Sequence, residues 1–136
     1  MRNAIRKALP AALLFAAALA MPPWAQAGSF DGKAFVAEAG EKAKAADERD
    51  DVITFADGKL HSSACDKYGF GKGDYASPDG KSFEAETLSE KDGRIVWKGS
   101  VQGDAIEGTF VHYPKGWLLN PNPNPVEHWF KGKLKG

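Results

Sequence analysis

From Asp51 to the C-terminus, short apolar runs alternate with turn-forming dipeptides, the period-two pattern of half-buried strands. Val52-Ile53-Thr54-Phe55 leads into Asp57-Gly58 and then Leu60-His61-Ser62. Asp-Gly between two such runs predicts a two-residue hairpin, whose central residues both take positive φ. That turn pairs Phe55 with Leu60 and Thr54 with His61. Ile53, Phe55 and Leu60 then share a core face, and His61 lies on the solvent side.

A second hairpin follows from residues 95–112. A turn at Gly103-Asp104 pairs Val101 with Ile106, Gly99 with Gly108, Trp97 with Phe110 and Ile95 with His112. All but the last of these pairs are apolar or glycine, as a core face requires. The other face carries Ser100 with Glu107 and Lys98 with Thr109, and the facing glycines mark a bend or a close backbone approach. Residues 82–89 form a further strand with Phe83, Ala85 and Thr87 inward and Glu84 and Glu86 outward. A longer connection over 89–93 keeps those glutamates away from Trp97. Residues 127–134 alternate with His128, Phe130, Gly132 and Leu134 on one side. Residues 71–75 make a weaker strand, ended by the turn Ser77-Pro78-Asp79-Gly80.

Residues 29–50 are ambiguous. Their Ala, Glu and Lys content favours helix, but Gly32 and Gly40 interrupt it. A first strand containing Phe30, Ala34 and Val36, followed by a short helix or loop over 41–49, avoids leaving a sheet edge unpaired. The total is about eight sequential strands, so the fold class is all-β. The expected architecture is a small up-and-down antiparallel barrel with an interior mostly filled by side chains. An open sandwich is the alternative.

The N-terminus changes the picture of where this domain works. Arg2, Arg6 and Lys7 precede an unbroken apolar stretch from Ala11 to Ala20. Pro22 and Pro23 follow, and Ala25-Gln26-Ala27 supplies the small residues of a cleavage site. Residues 1–27 are therefore expected to be a cleaved secretory signal, and residues 28–136 a single domain, periplasmic or secreted. The apolar run falls short of the ~20 residues a membrane span needs. Removing the signal leaves 15 basic residues against 18 acidic, a net charge of −3. Nucleic acid and anionic membrane both call for a concentrated basic surface, and neither is expected as a partner. The single cysteine, Cys65, allows no internal disulfide.

The run Asp57-Gly58-Lys59-Leu60-His61-Ser62-Ser63, with Cys65 and Tyr68-Gly69-Phe70, resembles a group of small exported bacterial proteins of uncharacterised function. Gly103-Asp104-Ala105-Ile106-Glu107-Gly108-Thr109 and the closing Trp129-Phe130-Lys131-Gly132-Lys133-Leu134 extend the likeness over most of the domain. The resemblance implies no activity. In architecture alone the pattern is similar to lipocalin-like barrels, and a fold does not by itself assign a function.

In a meander, connections alternate between the two ends. The short turns gather at one end, and the long connections 40–50, 63–71, 89–93 and 113–126 gather at the other. Binding side chains favour long loops on a rigid scaffold, so the long-loop end is the expected mouth. Its candidates are Cys65, Tyr68, His112, Tyr113, Trp117 and His128. A small apolar or aromatic ligand is the leading expectation. A zinc or copper ion held by His112 and His128, with Cys65 as a further ligand, is an alternative. The stiff segment Asn120-Pro121-Asn122-Pro123-Asn124-Pro125 beside Trp117-Leu118-Leu119 offers a third reading, a protein-interaction loop. No catalytic motif is present in the sequence. Ser62, Ser63 and Cys65 near His61 lack an identifiable orienting acid, so no enzyme activity is expected.

Overall fold

The computed structural model describes residues 29–136, and the segment 1–27 assigned to a secretory signal lies outside them. Eight antiparallel strands form a closed barrel in sequential order: β1 Ala34–Glu41, β2 Glu48–Ala56, β3 Lys59–Ser62, β4 Gly73–Ala76, β5 Ser82–Ser89, β6 Gly93–Gln102, β7 Ala105–Tyr113 and β8 Val126–Leu134. Closure is made by β1 against β8, from Phe35 opposite Leu134 to Glu41 opposite His128. With no free edge, every strand finds partners on both sides. A short 3-10 helix, Ser63–Tyr68, lies between β3 and β4.

Turn chemistry sets the register. Asp57 and Gly58 take φ of 54° and 73°, the mirror-image turn whose twist matches the flanking strands. Phe55 lies opposite Leu60 and Thr54 opposite His61 as expected. The turn at Gly103-Asp104 likewise pairs Val101 with Ile106, Gly99 with Gly108, Trp97 with Phe110 and Ile95 with His112. At the glycine pair, a Cβ on Gly108 would meet the Lys98 carbonyl oxygen at 2.2 Å and the Phe130 ring at 2.9 Å. The bare backbone there lets the Phe130 ring lie across two strands.

Two expectations for the first third of the domain need correction. Ala34 and Val36 do belong to the first strand, β1, which turns Phe35, Ala37 and Ala39 inward and leaves Val36 39 % exposed. Phe30 is not a strand residue at all. It sits within the turn over 29–32 and enters the barrel's short-turn end, where it is 3 % exposed. Residues 41 and 48–49 belong to strands, so the first long connection shrinks to 42–47. Of the two alternatives there, a loop forms: Ala43 takes a positive φ of 63°, which a right-handed helix does not accept.

The core is a column of rings. Phe30 packs edge-on against Phe55 and Phe83, and is stacked on Tyr75 at 5.9 Å. Phe83 leads to Phe130, Phe130 to Trp97 at 5.5 Å, and Trp97 to Phe110 at 4.7 Å. The plug is also tied by polar contacts. Tyr75 Oη accepts from the Phe30 amide at 2.9 Å and donates to Asp31 Oδ1 at 2.8 Å, and Asp31 also accepts from the Gly58 amide. Burial pushes the Tyr75 phenol up to about 12. Phe30→Ala leaves a ring-sized void in this seal, and is expected to lower unfolding free energy by about 3–5 kcal/mol in urea denaturation. A loss below about 1 kcal/mol means that Phe30 does not plug the barrel.

Candidate functional site

The connections 42–47, 63–72, 90–92 and 114–125 emerge at the end opposite Phe30. A cavity of about 530 Å³ opens among the first three of them. Its floor is the top of the ring column, Trp97 and Phe110, with Ile95, Ala39 and Phe70 around it. Part of the circumference near this end carries small inward residues, Ala39, Asp51, Ser62, Thr87 and Ser89, whereas positions near the plug carry Phe35, Phe55 and Phe83. The interior is thus filled in one half and hollow in the other.

Four of the six candidate residues line the cavity: Cys65, Tyr68, His112 and His128. His112 and His128 reach it from β7 and β8 through the inward alternation, with His128 opposite Phe110 in the ladder. The His128 ring stacks on Phe110 at 4.5 Å and 6° between planes. Its Nδ1 is buried and, among the described residues, without a hydrogen-bond partner, so the ring carries unused bonding capacity. His112 donates from Nε2 to the Asp92 carbonyl oxygen at 2.7 Å and packs edge-on against Phe70. Tyr113 and Trp117 are not part of the lining. Tyr113 follows His112 and so faces outward, where the Arg94 guanidinium covers its ring at 4.2 Å. Trp117 is 59 % exposed in the last long connection.

Cys65 and Tyr68 owe their positions to Asp51. The alternation that turns Ile53 and Phe55 inward carries Asp51 inward as well, and its side chain is 5 % exposed. The carboxylate accepts from Ser62 Oγ at 2.7 Å and from the Ala64 amide at 3.0 Å. These bonds pin the start of the 3-10 helix over β2, and a buried carboxylate is tolerated only when so supplied with donors. Sequence reasoning passed over Asp51, although its parity was available. His61 lies outside the cavity, donating from Nε2 to Asp66 Oδ1 at 2.6 Å.

Carboxylates dominate the polar part of the lining: Asp47, Glu48, Asp51 and Asp92 stand against one cation, Lys67. Metal-ligand chemistry is thin by comparison. Among the described residues no three His, Cys, Asp or Glu side chains come together as a ligand group. The His112 Nε2 lone pair is unavailable while that nitrogen donates to Asp92. A second depression, of about 560 Å³, lies on the outer wall around Val36, Arg49, Glu107 and Lys131. Within it Glu38 pairs with both Arg49 and Lys131.

The fold and this cavity define an eight-stranded antiparallel barrel, sealed at one end and hollow at the other. Comparison with protein-family models, curated proteins and solved structures gave no match to this chain.

Burial is the main cause that pushes the Cys65 thiol up to about 11, with a hydrogen bond from Ser62 opposing and the carboxylates of Asp51, Asp66 and Glu48 adding to it. Starting from a reference of 9.0, the thiolate fraction at neutral pH falls about 100-fold. Native Cys65 is expected to react with iodoacetamide about 100-fold more slowly than the unfolded chain at pH 8, with a rate that climbs towards pH 11. The folded thiol keeps its proton after the unfolded one has lost it, so this group's contribution to stability is present below pH 9 and declines as pH rises to 11. A native alkylation profile with its midpoint near 9 counts against this half-buried placement.

Proposed function

We propose that this protein is an exported, periplasmic or secreted binding barrel for a small, mainly apolar molecule with an uncharged or cationic polar head. The observation that carries the reading is the cavity of about 530 Å³ floored by Trp97 and Phe110. Its size falls within the range of small-molecule sites, and its composition follows their usual form of apolar walls with a few placed polar groups. The acid-rich rim disfavours an anionic head, because bringing a like charge into a low-dielectric mouth is costly. His128 supplies a hydrogen-bonding group that the protein itself leaves unused among the described residues. The resemblance to small exported bacterial proteins and to lipocalin-like barrels is in keeping with this role.

Nile red, an uncharged apolar fluorophore, tests the reading by titration. The expected result is saturable binding in the micromolar range or tighter. Ala39→Phe places a ring into the hollow half of the barrel, where there is room for it. The substitution is expected to weaken Nile red binding by about tenfold or more, while urea denaturation shifts by no more than about 1.5 kcal/mol. Absence of binding by the unaltered protein, or equal binding by a folded Ala39→Phe variant, overturns the assignment.

A further inference from the structure

The segment 114–125 between β7 and β8 neither lines the cavity nor packs into the core. Trp117 and Asn120 exchange backbone hydrogen bonds, Trp117 N–H to Asn120 O at 3.0 Å and Asn120 N–H to Trp117 O at 2.9 Å. Leu118 and Leu119 are thereby held at the tip of a two-residue turn, 93 % and 79 % exposed. Pro121, Pro123 and Pro125 stiffen the returning arm. The other arm is anchored to the barrel, with Lys115 Nζ donating to the Glu90 carbonyl oxygen at 2.6 Å. Exposed leucines at a constrained tip cannot fold back to hide their apolar surface.

The exposure is also one-sided. Five of the seven large hydrophobic residues found exposed among the described residues, Tyr68, Leu88, Trp117, Leu118 and Leu119, come from the mouth end. Exposed apolar side chains gathered at one end of a domain mark a contact surface. We propose that the Trp117-Leu118-Leu119 tip inserts into a lipid surface, docking the barrel by its mouth end. Three features select a bilayer over a protein. The tip is convex and presents on the order of a few hundred Å², below the ~800 Å² per partner of a stable protein interface. From Pro114 to Val126 the only charged side chain is Lys115, so insertion desolvates no charge at the tip itself. An indole behind two leucines suits the membrane interface, where the ring's apolar body and its N–H are both accommodated.

Among the described residues no helix is long and apolar enough to cross a membrane, and the proposed contact is made by the tip alone. Outside the acid-rich cavity lining, lysines and carboxylates pair with each other at this end, as in Lys42 with Glu127 and Lys44 with Glu41. Attachment therefore depends on apolar insertion rather than on anionic lipid, and it is independent of whether the cavity is occupied.

Co-sedimentation with phosphatidylcholine vesicles, at low and at high salt, tests the proposal on protein recovered from expressing cells. The N-terminus of each sample is read by mass spectrometry. Binding is expected to vary little with salt. A double variant, Leu118→Asp with Leu119→Asp, alters only exposed side chains and is expected to lose at least about tenfold in vesicle affinity. Vesicles with brominated acyl chains are expected to quench the fluorescence of the unaltered protein, and Trp117→Phe to abolish most of that quenching. Any leader retained by the samples is common to all of them and cannot produce these differences. No vesicle binding, or binding and quenching unchanged in the variants, overturns the proposal. So does a dimer in gel filtration that only the double variant dissolves, which assigns the tip to a second copy.

Discussion

The barrel depends on one column of rings running along its axis. Phe30, Phe55, Phe83, Phe130, Trp97, Phe110 and His128 follow one another in stacked, tilted or edge-on contacts. Each such pair contributes about 0.5–1.5 kcal/mol beyond the area it buries. An eight-stranded barrel has an interior only as wide as its side chains, so a column of this kind fills one half completely. It also fixes where filling stops. Trp97, 1 % exposed, is both the last full layer of the core and the floor of the cavity, and its indole donates to Thr87 Oγ1 at 3.1 Å. The polar demand of the largest core side chain is thus met inside the barrel, without a water or a ligand.

The register of the sheet was legible in the sequence because it is set locally. Asp57-Gly58 and Gly103-Asp104 each determine the pairing of two strands, and the turn's own backbone geometry leaves no latitude for a one-residue slip. The face of β1 was not legible. Ala34, Val36, Ala37 and Ala39 place small apolar residues on both sides of the strand, so alternation does not distinguish inside from outside there. What decides it is tertiary: Ala37 lies opposite Gly132 and Ala39 opposite Phe130 across the closing seam. The role of Phe30 was hidden for a similar reason. A ring that plugs a barrel from a turn carries no periodic signal, and its partners Phe55, Tyr75 and Phe83 lie 25 or more residues away in sequence.

Parity governs the site as well, with uneven results. It brings His112 and His128 to the cavity from adjacent strands, and it turns Tyr113, the very next residue after His112, to the outer wall. Applied to β2 it also delivers Asp51 to the interior, where a carboxylate looks out of place until its donors are seen. Those donors come from Ser62 and Ala64, at the junction between β3 and the 3-10 helix. The buried acid therefore serves to seat a loop, and the loop seats Cys65 and Tyr68. Charge, thiol and ring form one positional chain, and none of its members is isolated chemistry.

The polarity of the barrel, sealed below and hollow above, follows from connection length. In an up-and-down meander every second connection returns to the same end. Residues 57–58 and 103–104 are among those that close the plugged end, and 42–47, 63–72, 90–92 and 114–125 all fall at the other. Short turns bring strand ends together and exclude water, which suits an end filled by Phe30. Long connections cannot all be buried, because their backbone groups need partners, and they leave both a cavity and exposed apolar side chains around it. The loop-borne walls of the cavity and the leucine tip share this one cause. A chain that places its long connections at a single end gathers its deepest cavity lining and most of its exposed large apolar side chains there.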